Sequence, residues 1–185
     1  MNSTSIIILL VVAAVIIVAA LAFMTIRKRR SQQLREKFGP EYERVVRKEG
    51  DAGKAEQVLA FRQQRREKFK VRSLSPTDRS SFRYRWNEVQ SRFVDDPKGA
   101  VTMAESLVTD VMQARGYPVA EFDQQAADIS VDHPVVVENY RAAHDIALRH
   151  GRGQASTEDL RNAMVHYRSL FQELLDDNQL QRKGA

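Results

Sequence analysis

The sequence predicts an all-α protein: a single N-terminal transmembrane helix, a basic helical juxtamembrane segment, and a small helical bundle. Three observations carry that reading. The stretch Ile6 to Ile26 holds no charged residue. From Ser75 onward apolar residues recur at helical spacing between cap and proline signals. Nowhere does a run alternate apolar and polar with the period of two that a half-buried strand requires.

Residues 1–5 form a short polar tail, and the first element is the run IIILLVVAAVIIVAALAFMTI over residues 6–26. As a helix it would measure about 31 Å at 1.5 Å per residue, close to the ~30 Å of a bilayer's hydrocarbon core. Ala20, Leu21 and Ala22 form an A-x-A triplet that a signal peptidase accepts. Against cleavage stand the absence of a basic side chain before the run and a length beyond the ~7–15 residues of a signal h-region. Arg27, Lys28, Arg29 and Arg30 follow at once and are expected at the membrane interface. With only the α-amino cation ahead of the run, the positive-inside rule places the N-terminus outside and the remainder in the cytoplasm, in a single-pass inner-membrane protein.

The charge distribution then divides the chain. Residues 27–72 carry 16 Lys plus Arg against 7 Asp plus Glu, whereas residues 73–185 carry 13 against 17, giving the overall +5. Gly39 and Pro40 interrupt the basic part, and helices are expected over Glu41 to Lys48 and Ala52 to Lys70, with Gly50 closing the first. Ala55, Leu59, Arg62, Arg66 and Phe69 share one stripe of the longer helix, an apolar face interrupted by arginine.

An all-α domain is expected over residues 73–176. Ser75 caps a helix with Pro76 at N1 and Asp78 at N3, and Phe82, Trp86, Val89 and Phe93 form its inner face. Asp96 and Pro97 repeat the signal ahead of Val101, Ala104, Val108, Val111 and Met112, and Gly116 and Pro118 end that helix. Two further helices are expected around Ala120 to Ile129 and Pro134 to His150. The first turns Phe122, Ala126 and Ile129 inward, the second Val136, Tyr140, Ala143 and Ala147. Ser156 with Asp159 opens the last helix, on which Leu160, Met164, Tyr167, Phe171 and Leu174 keep an i, i+4, i+7 pattern. Residues 177–185 are expected to be a disordered tail.

The stretches FGPEYER (Phe38 to Arg44), WNEVQSRFVDDP (Trp86 to Pro97), ARGYPV (Ala114 to Val119), AADISVDHPVVVENYRAAH (Ala126 to His144) and ASTEDLRNAMVHYRSLF (Ala155 to Phe171) resemble a family of small bacterial proteins with one N-terminal span and no assigned function. The resemblance covers nearly all of the chain after residue 26. It implies a membrane-anchored helical protein and no activity.

Candidate chemistry is sparse. The chain has no cysteine, which excludes a disulfide framework, a thiol nucleophile and Cys-ligated zinc. No nucleotide-binding glycine motif and no nucleophile elbow occurs. His144 and His150 are six residues apart and His166 lies on another helix, so no histidine pair has zinc-ligand spacing; neither metal nor cofactor is expected. Asp128, Asp132 and His133 are the residues to suspect in an enzyme, since a carboxylate beside an imidazole can orient a general base. The structural alternative is that Asp132 or His133 caps the helix begun near Pro134. The basic stretch Arg62, Arg65, Arg66, Lys68, Lys70 and Arg72 offers contacts to anionic lipid headgroups, to a protein partner or, less in keeping with the acidic domain that follows, to nucleic acid. The function these features favour is a membrane-anchored, non-enzymatic protein-interaction or scaffold module with an unidentified protein partner.

Overall fold

A computed structural model describes residues 3–176, the side chains of residues 3–11 and 14 excepted. The expected tail over 177–185 lies outside the described residues. Among those described the chain forms eight helices and no strand: α1 (Ser3–Phe38), α2 (Pro40–Glu49), α3 (Ala52–Glu67), α4 (Pro76–Arg92), α5 (Pro97–Ala114), α6 (Phe122–Ile129), α7 (Val137–Gly151) and α8 (Thr157–Leu175).

The expected transmembrane helix is corrected. Among the described residues no helix is long and apolar enough to cross a membrane. The physical reason lies in α1. It is not a self-contained apolar rod, because charged and polar residues make up its C-terminal third. The same helix then continues unbroken through Arg27, Lys28, Arg29 and Arg30 to Phe38. The side chains of residues 6–11 and 14 lie outside the description. The single-pass inner-membrane placement, with N-terminus outside and C-terminal domain cytoplasmic, rested on that span and falls with it.

Two apolar cores organise the rest. Leu34 and Phe38 of α1 pack with Tyr42 and Val45 of α2 and Ala55 and Leu59 of α3. Gly39 makes the sharp turn between α1 and α2 possible, at φ +47°, where a side chain would be strained. Val131, from the segment after α6, completes this small core. The larger core lies among α4 to α8. Trp86 stacks on Phe171 with ring centroids 4.7 Å apart, and Val108, Val111, Ile129, Ala143, Tyr167 and Leu174 are fully buried around them. Burying side chains of this size gives roughly 1.5–3 kcal/mol each in transfer free energy before entropy is counted, so this core holds α4 to α8 together.

The caps form as their spacing requires. Ser75 Oγ accepts from the Asp78 amide at 3.0 Å, and Asp96 Oδ1 accepts from the Gly99 amide at 2.9 Å. Ser156 and Asp159 make a reciprocal capping box, with 3.1 Å from the Asp159 amide and 2.8 Å from the Ser156 amide. One expected cap is absent: α7 begins at Val137, so its cap position falls on Val136 rather than on Asp132 or His133, and no side chain caps it. The α3 helix likewise stops at Glu67, and residues 68–75 run as a linker held to the end of α5 through the Arg72 amide and the Arg115 carbonyl, 2.9 Å apart.

Candidate functional site

The polar centre of the molecule is the seam where α3 meets the segment from α6 to α7. Arg62, Arg65 and Arg66 stand at i, i+3 and i+4, so they share one face of α3. Asp128 and Asp132 are also four residues apart, and the two sets meet. Arg65 holds Asp128 through both carboxylate oxygens, at 2.9 and 3.3 Å, and Gln124 Nε2 donates to the same carboxylate at 2.8 Å. Arg66 Nε donates to Asp132 Oδ2, which also accepts from the Tyr117 hydroxyl at 2.7 Å. Arg62 donates to Ser130 Oγ at 3.1 Å. Ser130 in turn donates to the Ala127 carbonyl at 2.7 Å.

Beneath this row sits Glu41, a fully buried carboxylate near the start of α2. Its position in the first turn suits the positive end of the helix dipole, but its main partners are distant in sequence. Arg62 Nη1 donates to Oε1 at 2.6 Å. Arg141 of α7, a hundred residues from Glu41, donates at 2.6 Å to Oε2 and at 2.9 Å to Oε1. Glu138 lies 3.4 Å from Arg141 and 3.6 Å from Arg44, so negative charge balances the cations at the edge of the cluster. Desolvating such a group costs nearly as much as its Coulomb attraction returns, so relative to an apolar seam its net contribution is small. Leaving one member without its partner is the expensive event.

Six basic residues of the segment over 27–72 were candidates for an outside contact, and the fold separates them. Arg62 is buried, and Arg65 and Arg66 are paired with the bundle's own aspartates. Lys68, Lys70 and Arg72 are exposed, with Arg72 donating to the Ala114 carbonyl at 3.0 Å. The suspected residues Asp128 and Asp132 are likewise brought together with α3, as acceptors of arginine hydrogen bonds.

His133 has a different setting. Its ring is buried, with Nδ1 3.1 Å from Glu173 Oε1, while Nε2 has no hydrogen-bond partner among the described residues. The ring forms part of the wall of a cleft of about 380 Å³. The cleft draws Lys37 from α1, Arg66 from α3, Arg115 and Tyr117 from the end of α5, Asp132 and His133 from the segment after α6, and Glu173 from α8. Val71, Val131, Val135 and Val136 supply its apolar surface. Burial, and then the charge of Asp132, push the Tyr117 hydroxyl far above its ordinary value of 10.0. It therefore stays protonated and remains a donor.

Two other histidines have plain structural partners. His144 stacks on Phe122 with centroids 3.6 Å apart and lies 2.7 Å from Glu105, and His166 lies 3.0 Å from Asn139. Among the described residues no group of three or more His, Asp or Glu is placed to hold a metal ion.

Sequence reasoning passed over Glu41, Arg141, Tyr117, Arg115 and Glu173. A signal for the first was present. Arg62 falls on the buried stripe of α3, and a buried guanidinium requires a buried anion. Nothing local says which of 24 acidic residues supplies it. Comparison of the chain with protein-family models, curated proteins and solved structures finds no match.

Proposed function

We propose that this chain is a non-enzymatic protein-interaction module, in which the helical bundle is a platform that presents α1 to a protein partner. The observation that carries this reading is the exposed apolar surface of α1. Val15, Ile16, Ile17, Val18, Leu21, Phe23, Met24 and Ile26 are all more than half exposed. The lower part of the same helix is anchored by the burial of Leu34 and Phe38. A contiguous apolar surface of this kind marks an interaction site, and a helix fixed at one end offers it with little ordering cost to the partner.

Supporting the non-enzymatic reading, Asp128 and Asp132 each accept hydrogen bonds from an arginine and one further donor. Such contacts occupy lone pairs a general base would use.

The test is affinity capture from cells with the full chain and with a variant lacking residues 1–26. A discrete partner recovered with the full chain and lost with the deletion supports the reading. Recovery of the same proteins with both, or of none with either, overturns it.

A further inference from the structure

Most arginines of the bundle are matched with acids. Arg85 pairs with Asp110, Arg92 with Asp96, Arg141 with Glu41, Arg149 with Asp159 and Arg161 with Glu158. Arg83 of α4 and Arg168 of α8 depart from that pattern. Both are exposed, neither has an ion-pair partner among the described residues, and both line the same groove.

The groove lies between α4 and α8, which both pack on α5, and its volume is about 540 Å³. From α4 come Arg83, Asn87 and Gln90, at i, i+4 and i+7 on one face; from α8 come Arg168 and Gln172, at i and i+4. The buried rings of Trp86 and Phe171, stacked with centroids 4.7 Å apart, form its inner wall. The carboxylate that lines it is Asp176, exposed at the end of α8. Two guanidiniums against one acid leave the groove positive.

We infer that this groove binds an acidic segment of a partner protein. Guanidiniums on opposite walls recognise carboxylates through charge-assisted, bidentate hydrogen bonds. The amide side chains of Asn87, Gln90 and Gln172 each carry donors and an acceptor, which match a peptide backbone. From Arg83 to Gln90 the wall is about 10 Å long, the reach of about three extended residues. A long polyanion such as nucleic acid fits the setting less well, because residues 73–185 carry 13 Lys plus Arg against 17 Asp plus Glu. Residues 177–185 hold Asp177 against Arg182 and Lys183, so their charge does not complement the groove. The inference is independent of the role of α1, on the other core of the fold.

The chain has a single tryptophan, Trp86, so its fluorescence reports on this groove. Capped tetraglutamate is titrated into the full-length chain at matched ionic strength, with capped tetraglutamine as its uncharged counterpart and oligothymidylate as the nucleic-acid rival. The expected result is a saturable change with tetraglutamate and none with tetraglutamine. Arg83→Gln and Arg168→Gln should each weaken tetraglutamate at least about tenfold, the loss of one charged hydrogen-bonding group. Both side chains are exposed, so neither change disturbs the core. Arg161→Gln removes the same charge from α8 at a residue paired with Glu158 outside the groove, and should leave the affinity unchanged. No response to tetraglutamate, which would leave the groove to another part of this chain or to nothing, overturns the inference. So does an equal response to tetraglutamine, tighter binding of oligothymidylate, or equal weakening by Arg161→Gln and Arg168→Gln.

Discussion

Replacing Glu41 with glutamine removes the one anion shared by two buried guanidiniums while preserving side-chain size. In the native protein Arg62 and Arg141 make three hydrogen bonds to Glu41, of 2.6, 2.6 and 2.9 Å, and the carboxylate is wholly inaccessible. In Glu41→Gln, Arg62 keeps Ser130 and Arg141 keeps Glu138, but neither faces a full charge at the centre of the cluster. Breaking a buried ion set on one side costs about 3–5 kcal/mol. The cost falls on the docking of α2 and α3, because Glu41 ties them to α7, while Trp86, Phe171 and the core around them are untouched. Hydrogen exchange followed residue by residue distinguishes the two regions. Amides of α2 and α3 should exchange at least about a hundredfold faster in the variant, since every 1.4 kcal/mol is tenfold. Those in the middle of α5 and α8 should keep their native rates. A uniform acceleration across the chain, or a change in α2 and α3 of less than about fivefold, would refute the idea that Glu41 holds the hairpin on the bundle.

Three further outcomes follow from local features. Ser75→Ala deletes the cap of α4 and should lower stability by about 1 kcal/mol in chemical denaturation. Gly116→Ala should cost about 2–3 kcal/mol, because Gly116 has φ +92° and an added Cβ would stand 2.5 Å from the Lys70 carbonyl oxygen; a melting temperature equal to wild type would contradict this. Hydrogen bonds from the Ser156 side chain and then its amide hold the Asp159 carboxyl below its ordinary 3.8. A carboxyl depressed in the folded state stabilises it fully above the unfolded value and loses that contribution as pH falls through the folded one. Wild type should therefore exceed Asp159→Asn in stability above about pH 4, with the gap closing on further acidification; a gap that widens in acid would reverse the sign of this reasoning.

The bundle was legible because its signals are local. Ser75 with Pro76, Asp96 with Pro97 and Ser156 with Asp159 each announce a helix start within a few residues, and the inner faces named from spacing include Trp86, Val111, Tyr140 and Leu174, all of which are buried. The α7 start was misread for a tertiary reason. α7 starts at Val137, which puts its cap position on Val136, and Asp132 and His133 lie upstream of it, facing Arg66, Tyr117 and Glu173. The seam was visible only in halves. The arginines at 62, 65 and 66 and the acids at 128 and 132 each stood out, the former as an outward-facing basic surface and the latter as possible catalysts. Their meeting depends on contacts some 63 to 68 residues apart, which no local period encodes. Glu41 and Arg141 are farther apart still.

The pairing of Arg65 with Asp128 tests the central claim most directly, since it asks whether the basic face of α3 is closed on the bundle. Denaturation of Arg65→Met, Asp128→Asn and the double variant yields a coupling energy free of each side chain's other contacts. Two groups bonded through both carboxylate oxygens, one of them nearly inaccessible, should couple by about 1–3 kcal/mol. A coupling below about 0.3 kcal/mol, as for residues that do not touch, would contradict the account and leave the arginines of α3 facing outward.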